Sequence, residues 1–335
     1  MNFSIQTSGE EGLGLVNKIK AINSSIPIIL ITGWATISLA VEGIKLGAKD
    51  FISKPWRNEN LLQSIQTTLQ LNQSKNIVLL YALNPLVIIE FCGNLHFEGI
   101  LITFLLLTVA LLIQQKWTLS AFPFAGAILV KLHPLMLLPF IIKYLGWKKG
   151  VIFTLIAGTL SISLFTPFLL PFSQWQIHLH NIISSLKLYV ETFEFNGGIY
   201  YIFRWIGQWH YGYNPIHIVG KLLFVLNIVG LVVLFIKQQK GPAALIKSIA
   251  MIYMLYVLLS TTVHPWYILS ILPFSLLVKW KTPLMWTGII IVSYFAYSTN
   301  DWQENFYLLI IEYTFVFLFL FYECKRTKKL NENSI

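Results

Sequence analysis

Ten apolar runs with lysines set between them decide what this chain can fold into. From Ile77 onward they are Ile77–Cys92, Gly99–Ile113, Thr118–Val130, Pro134–Leu145, Val151–Phe172, Ile216–Ile236, Ala243–Leu259, Tyr267–Val278, Pro283–Tyr297 and Phe306–Tyr322. A straight helical span needs about 20 residues. Several runs are shorter, so tilted, broken or half-spanning helices are expected. Charged residues make up 11% of the chain, against about 25% in a soluble domain, and the mean hydropathy is +0.67. Most of the chain therefore belongs in lipid. The expected fold is mainly α, a multi-pass transmembrane helical bundle of about nine to ten membrane helices including a re-entrant hairpin. A small α/β segment precedes it.

The lysines orient the bundle. Lys116; Lys143, Lys148 and Lys149; Lys237, Lys240 and Lys247; Lys279 and Lys281; and Lys325 to Lys329 fall in the gaps, and basic gaps stay cytoplasmic. One stretch conflicts with simple crossings: a single span over 118–145 would put Lys116 and Lys143 on opposite faces. Thr118–Val130 reaches only about 20 Å of a core about 30 Å thick. A helical hairpin bent at Lys131-Leu132-His133-Pro134 resolves the conflict and leaves Lys131 and His133 at its outward tip. Both termini are then cytoplasmic, and Gly93–Glu98, Ser173–Asn214 and Ser298–Asn305 lie outside. The net charge of +10 is spread among apolar runs, so nucleic acid is not an expected partner. Two cysteines, Cys92 and Cys324, argue against a disulfide framework. The first 70 or so residues lack a basic region followed by an apolar one, so no signal peptide is expected.

Residues 1–72 read differently, as strand alternating with helix: a helix over Gly12–Ile22, a strand over Pro27–Thr32, a helix over Ile37–Leu46 ended by Gly47, a strand over Asp50–Ser53 and a helix over Glu59–Leu71. The run Ile-Pro-Ile-Ile-Leu-Ile-Thr-Gly (26–33), then Ala40 to Gly47, then Ala48-Lys49-Asp50-Phe51-Ile52-Ser53-Lys54-Pro55-Trp56 resembles the C-terminal half of a response-regulator receiver domain. The resemblance implies that Thr32 would touch a phosphoryl group and that Lys54 would pair with the phosphoacceptor carboxylate. It also implies an Asp ending the preceding strand and an acidic pair before that. Residues 1–49 contain no Asp, so Met1 falls just past the phosphorylation site and neither the nucleophile nor the Mg²⁺ site is expected.

Residues 77–325 carry a second resemblance. Tyr81-Ala82-Leu83-Asn84-Pro85-Leu86-Val87-Ile88-Ile89-Glu90, Gly93-Asn94-Leu95-His96-Phe97-Glu98, Lys131-Leu132-His133-Pro134, Phe195-Asn196-Gly197-Gly198-Ile199-Tyr200-Tyr201 with Arg204, and His264-Pro265-Trp266-Tyr267 together resemble GT-C glycosyltransferases of the bacterial mannosyltransferase-like kind. The resemblance implies sugar transfer from a polyprenyl-phosphate carrier at the outer face of the bacterial cytoplasmic (inner) membrane. It further implies a catalytic acid in a first outer loop. That loop would precede Ile77, where the receiver-like segment stands.

Such chemistry needs a carboxylate, a cation for the phosphate and a dry cavity. The chain has two Asp, Asp50 and Asp301, and the outer-face acids are Glu98, Glu191, Glu194, Asp301 and Glu304. Glu98 beside His96 is the expected catalytic pair. Arg204, able to grip phosphate with a fork of donors, is the expected carrier cation, with Lys131, His133 and His264 as further carrier or sugar ligands. No metal-ligand spacing and no cofactor motif is present; the sugar-charged polyprenyl phosphate is the donor substrate. The expected domains are 1–72, a linker at 73–76, the membrane domain at 77–325 and a cytoplasmic tail at 326–335. Two other readings stay open: a membrane-tethered phosphorelay protein whose residues 1–72 bind a signalling partner, and a fusion product without function.

Overall fold

The computed structural model describes residues 10–332 apart from 25, 34–36, 56, 299 and 301. Met1-Asn2-Phe3, Trp56, Asp301 and Ser334 lie outside the described residues. The chain divides into two compact units, Met1–Leu80 and Tyr81–Ile335.

In the first unit the elements are α1 (Glu10–Ile22), β1 (Ile29–Thr32), α2 (Ile37–Lys45), β2 (Asp50–Ser53) and α3, which starts at Asn58 and runs to Ala82. The strands pair in parallel, with Ile29 opposite Asp50 and Thr32 opposite Ser53. Gly47 terminates α2 because its φ of +99° is open to glycine and costly for other residues. Leu13, Val16, Ala48 and Ile52 form the small buried core. Thr32 closes β1 and Lys54 follows β2 directly, so both stand at strand ends on the same edge of the sheet. Residues 73–76 lie within α3.

The second unit is helical. Its elements are α4 (Pro85–Ile88), a π-helical turn (Ile89–Gly93), α5 (Glu98–Ile113), α6 (Trp117–Val130), a 3₁₀ turn (His133–Leu137), α7 (Leu138–Leu145), α8 (Trp147–Phe165) and 3₁₀ turns at Thr166–Leu169 and Phe172–Gln174. They continue with α9 (Trp175–Glu191), α10 (Gly198–Tyr211), α11 (Ile216–Lys237), α12 (Pro242–Leu258), a 3₁₀ turn (Pro265–Ser270), α13 (Leu272–Leu277), α14 (Thr282–Ile289), a 3₁₀ stretch (Ile290–Ser298) and α15 (Phe306–Glu332). Among the described residues, three helices are long and apolar enough to cross a membrane: Trp147–Leu169, Ile216–Lys237 and Phe306–Arg326. They become four if Lys75–Ala82 and Pro85–Gly93 count as one bent span. Shorter apolar helices accompany them at Glu98–Ile113, Trp117–Val130, His133–Leu145, Pro242–Leu258 and Pro265–Leu277.

The breaks follow from the sequence. Pro85 has no N–H to donate, so the ladder of α3 cannot continue through it. Asn84 caps the restart: its side chain accepts from Leu86 N at 3.0 Å and donates to Thr287 Oγ1 at 2.8 Å, tying α4 to α14. The segment after α6 breaks at Lys131, before Pro134. Helices α5, α6 and α8 pack on one another in turn, with α7 on α8 and α14 on α15. Along α11 the buried residues are Val219, Gly220, Leu223 and Asn227, one stripe at helical spacing, while Phe224, Val225, Ile228, Val229 and Val232 are exposed. That inversion of the soluble pattern, with large apolar side chains outward and a small residue inward, suits a helix surrounded by lipid. Glu323 anchors the start of α14, accepting from the backbone of Lys281 at 2.9 Å and Thr282 at 2.8 Å.

Candidate functional site

Glu98 is the first residue of α5, and its side chain is 1% exposed. A carboxylate buried this deeply is tolerable only with partners, and it has two. Lys131 Nζ lies 2.5 Å from Oε1, and His96 Nδ1 lies 2.6 Å from Oε2. The second separation sets Nδ1 against the carboxylate, leaving Nε2 as the ring nitrogen away from Glu98. Lys131 reaches this position because α6 ends at Val130 and Lys131 takes an extended conformation, φ −152° and ψ 148°. Its ammonium also sits over the Tyr267 ring, 5.1 Å from the centroid.

From His96 an aromatic ladder crosses the site. His96 stacks on Trp266 at 4.2 Å, Trp266 on His264 at 4.3 Å, and His264 on Phe195 at 4.9 Å. His264 precedes the 3₁₀ turn and lies 3.3 Å from Tyr297 Oη through Nδ1. Burial, and then the nearby charge of Lys131, drives its pKa down to about 4, so its ring is neutral at pH 7. His133 is half-buried and packs against Tyr253 and Tyr256, at 5.2 and 5.7 Å, two residues after Lys131.

Four of the expected residues, Glu98, His96, Lys131 and His264, thus form one cluster, with His133 flanking it. Arg204 belongs to a second. On α10 it pairs with Glu194 at 3.2 Å, and its guanidinium lies 5.5 Å from the Tyr201 ring. Its Nε is buried without a hydrogen-bond partner among the described residues. Around it Tyr200 Oη donates to Glu194, Asn214 Nδ2 donates to Glu194 at 3.0 Å, and Tyr201 Oη donates to Glu304. Burial pushes the Glu304 carboxyl up from its ordinary value. The segment joining the two clusters is held by a set of hydrogen bonds to its backbone. Phe195 N donates to Thr261 O at 3.1 Å and Val263 N to Phe195 O at 2.7 Å. Asn196 N donates to Glu304 Oε1 at 2.6 Å, and Tyr313 Oη donates to the Asn196 carbonyl at 2.6 Å. Asn196 itself has φ +47°, which its short polar side chain tolerates.

Sequence reasoning passed over Glu312. It is fully buried on α15, and it accepts from Asn196 Nδ2 at 3.2 Å and Trp286 Nε1 at 2.8 Å. Its one signal was a lone carboxylate inside the apolar run Phe306–Tyr322, where an ionisable group is costly enough to need a reason. A pocket of about 300 Å³ lies alongside, between α11 and α12. It is lined by Phe224, Asn227, Tyr256, Thr261 and Tyr267 among others, so it shares Tyr267 with Lys131 and Tyr256 with His133. Among the described residues no group of three His, Cys, Asp or Glu could hold a metal ion.

Comparison with known proteins finds two families along the chain, their matches overlapping at residues 62–66. Residues 3–66 match the family described as "Response regulator receiver domain". The response regulator protein TmoT of Ectopseudomonas mendocina is 47% identical over 60 residues, which cover 18% of this chain and 27% of that protein. The transcriptional regulatory protein FixJ of Bradyrhizobium diazoefficiens is 36% identical over 66 residues, covering 20% and 32%. The C4-dicarboxylate transport transcriptional regulatory protein DctD of Rhizobium meliloti is 45% identical over 60 residues, covering 18% and 13%. The chain therefore spans less than a third of the length of these relatives. No solved structure matches it. Residues 62–146 match the family described as "Alpha-(1->6)-mannopyranosyltransferase, N-terminal domain", and this stretch holds His96, Glu98, Lys131 and His133. In chain order, a receiver-like segment is followed by a mannosyltransferase-like membrane segment.

Proposed function

We propose that residues 77–325 form a GT-C-like membrane glycosyltransferase domain that moves a hexose, mannose in the first instance, from a polyprenyl-phosphate carrier to a hydroxyl acceptor. The observation that carries the reading is the Lys131–Glu98–His96 triad, formed wholly within the mannopyranosyltransferase-like stretch. Glu98 holds His96 by Nδ1 and so fixes which ring nitrogen is free to take a proton. His96 removes the proton from the acceptor hydroxyl as its oxygen bonds to the sugar carbon, and the carrier phosphate departs with the electrons of the broken bond. Lys131 and Arg204 are the cations for that phosphate, with Arg204 offering its unused Nε. The apolar pocket between α11 and α12 suits the first part of the carrier chain, and His133 and His264 border the sugar.

The reading has about nine to ten helices in the inner membrane, a re-entrant hairpin among them, with both termini in the cytoplasm and the triad at the outer face. The contacts support a hairpin after α6: Lys131 meets Glu98, whereas Lys143 donates to the carbonyls of Phe235 and Ile236 near the far end of α11. The loop acid that the family resemblance implies has no counterpart in residues 77–325, so transfer is slow. The test is transfer from polyprenyl-phosphate mannose to a mannoside in nanodiscs, with Glu98→Gln, His96→Asn and Arg204→Ala. Both triad variants abolish transfer while leaving carrier binding nearly intact. Arg204→Ala weakens carrier binding roughly ten- to a hundredfold, and Arg204→Lys restores part of it. An intact protein that neither binds nor transfers refutes the reading.

The match of residues 3–66 favours a second reading for the first unit, a docking module for a signalling partner in a membrane-tethered protein. Thr32 and Lys54 would then be contact residues. A pull-down with residues 1–72 deleted separates the two roles.

A further inference from the structure

Glu90 is a carboxylate that the scheme above leaves unused. It lies on the π-helical turn Ile89–Gly93, a geometry rare enough to point to function. Its side chain is fully buried, and neither carboxylate oxygen accepts a hydrogen bond from any described residue. The Asn94 side chain is the nearest polar group, close enough to lower the cost of the charge but without good hydrogen-bond geometry to either oxygen. The backbone folds Glu90 under the site: Asn94 N donates to the Ile89 carbonyl at 2.8 Å, and His96 N donates to Glu90's own carbonyl at 2.8 Å. Glu90 stands within electrostatic reach of His96, Glu98 and Tyr297.

Two carboxylates therefore flank His96, and they differ. Glu98 has an ammonium hydrogen-bonded to one oxygen and an imidazole 2.6 Å from the other. Both oxygens of Glu90 are unengaged. A buried acceptor with no donor is stable only in a site that supplies one. No described group of His, Cys, Asp and Glu has metal-binding geometry, so a cation is a poor fit. A donor with several hydroxyls fits better, because a carboxylate can accept from two at once, and the ladder of His96, Trp266 and His264 gives apolar ring area beside it.

We propose that Glu90 is a ligand-binding carboxylate of this site, accepting hydroxyls of the acceptor sugar. The assignment rests on the glycosyltransferase reading for the identity of the ligand, not for the presence of the site. Its test is labelling of the detergent-purified protein with the apolar reagent dicyclohexylcarbodiimide, followed by mass spectrometry of the modified residue, with methyl α-mannoside as the probe ligand. Glu90 is modified, Glu98 in its ion pair is not, and the mannoside at about ten times its Kd slows the modification about tenfold. Glu90→Gln removes the label, whereas Glu98→Gln keeps it at Glu90. In transfer assays Glu90→Gln raises the acceptor KM. Labelling that the mannoside does not slow, or no labelling of Glu90, overturns the proposal. Shielding by the mannoside in a protein that shows no transfer supports Glu90 as a sugar ligand and refutes the glycosyltransferase reading alone.

Discussion

Lys131→Met tests whether the triad is a mutually dependent ion pair or a chance contact. The Glu98 side chain is 1% exposed and has two partners, Lys131 at 2.5 Å and His96 at 2.6 Å. Removing the lysine keeps a side chain of similar reach but leaves a buried carboxylate with an imidazole alone. Breaking a buried pair by deleting one partner costs about 3–5 kcal/mol. Because Lys131 is 27% exposed, water screens part of the interaction, and about 3 kcal/mol is the better figure. On the scale of soluble domains of 150–250 residues that loss lowers Tm by about 6–12 °C. The assay is thermal unfolding of the purified protein in nanodiscs at pH 7. The decisive comparison is the double variant Lys131→Met with Glu98→Gln. There the uncompensated charge is gone, so most of the loss returns and the net cost falls to about 1 kcal/mol. Equal destabilisation of single and double variants would falsify the argument, because the cost would then be lost packing. An unchanged Tm in the single variant would show that the pair contributes nothing.

Three further outcomes follow from other parts of the molecule. The purified protein takes up no phosphoryl group from acetyl phosphate, since residues 1–49 hold no Asp; Mg²⁺-dependent labelling would contradict this and favour the signalling reading. In a background with Cys92 and Cys324 replaced by Ser, Ser184→Cys reacts with an impermeant thiol reagent in intact cells and Ser334→Cys does not; the reverse pattern inverts the topology. Glu312→Ala leaves the buried donors of Trp286 and Asn196 without an acceptor and costs about 2–4 kcal/mol, read as a lower Tm; a neutral result would mean that the other hydrogen bonds of the Asn196 segment suffice to hold it.

What was legible in the sequence was whatever obeys local rules. Gly47 stops α2, Pro85 interrupts the first apolar run, and Ile216–Ile236 is matched by α11 to within one residue, because glycine, proline and an unbroken apolar run act over a few residues. The polar stretch Gln73 to Asn76 was harder. It reads as a linker by composition, yet it holds no Gly or Pro to stop a helix, and α3 continues through it. The site was half legible. Glu98, His96, Lys131 and His264 stand out as polar residues at the edges of apolar runs. Their assembly depends on pairings 33 residues and more apart, which no local pattern encodes. Arg204 stood out for the same reason, but its pairing with Glu194 depends on how α10 turns after Gly198. Glu312 was hidden in plain view, since its partners lie 116 and 26 residues away.

The aromatic ladder also makes the site visible to light. Trp266 has an imidazole on each face, His96 at 4.2 Å and His264 at 4.3 Å. A cationic imidazole in van der Waals contact quenches indole emission far more strongly than a neutral one. His264 is neutral at pH 7, so that face of the sandwich carries no charge, and a ligand that displaces either imidazole changes the Trp266 signal. The difference spectrum between the intact protein and Trp266→Phe thus isolates one chromophore from eleven tryptophans and turns occupancy of the site into an optical readout.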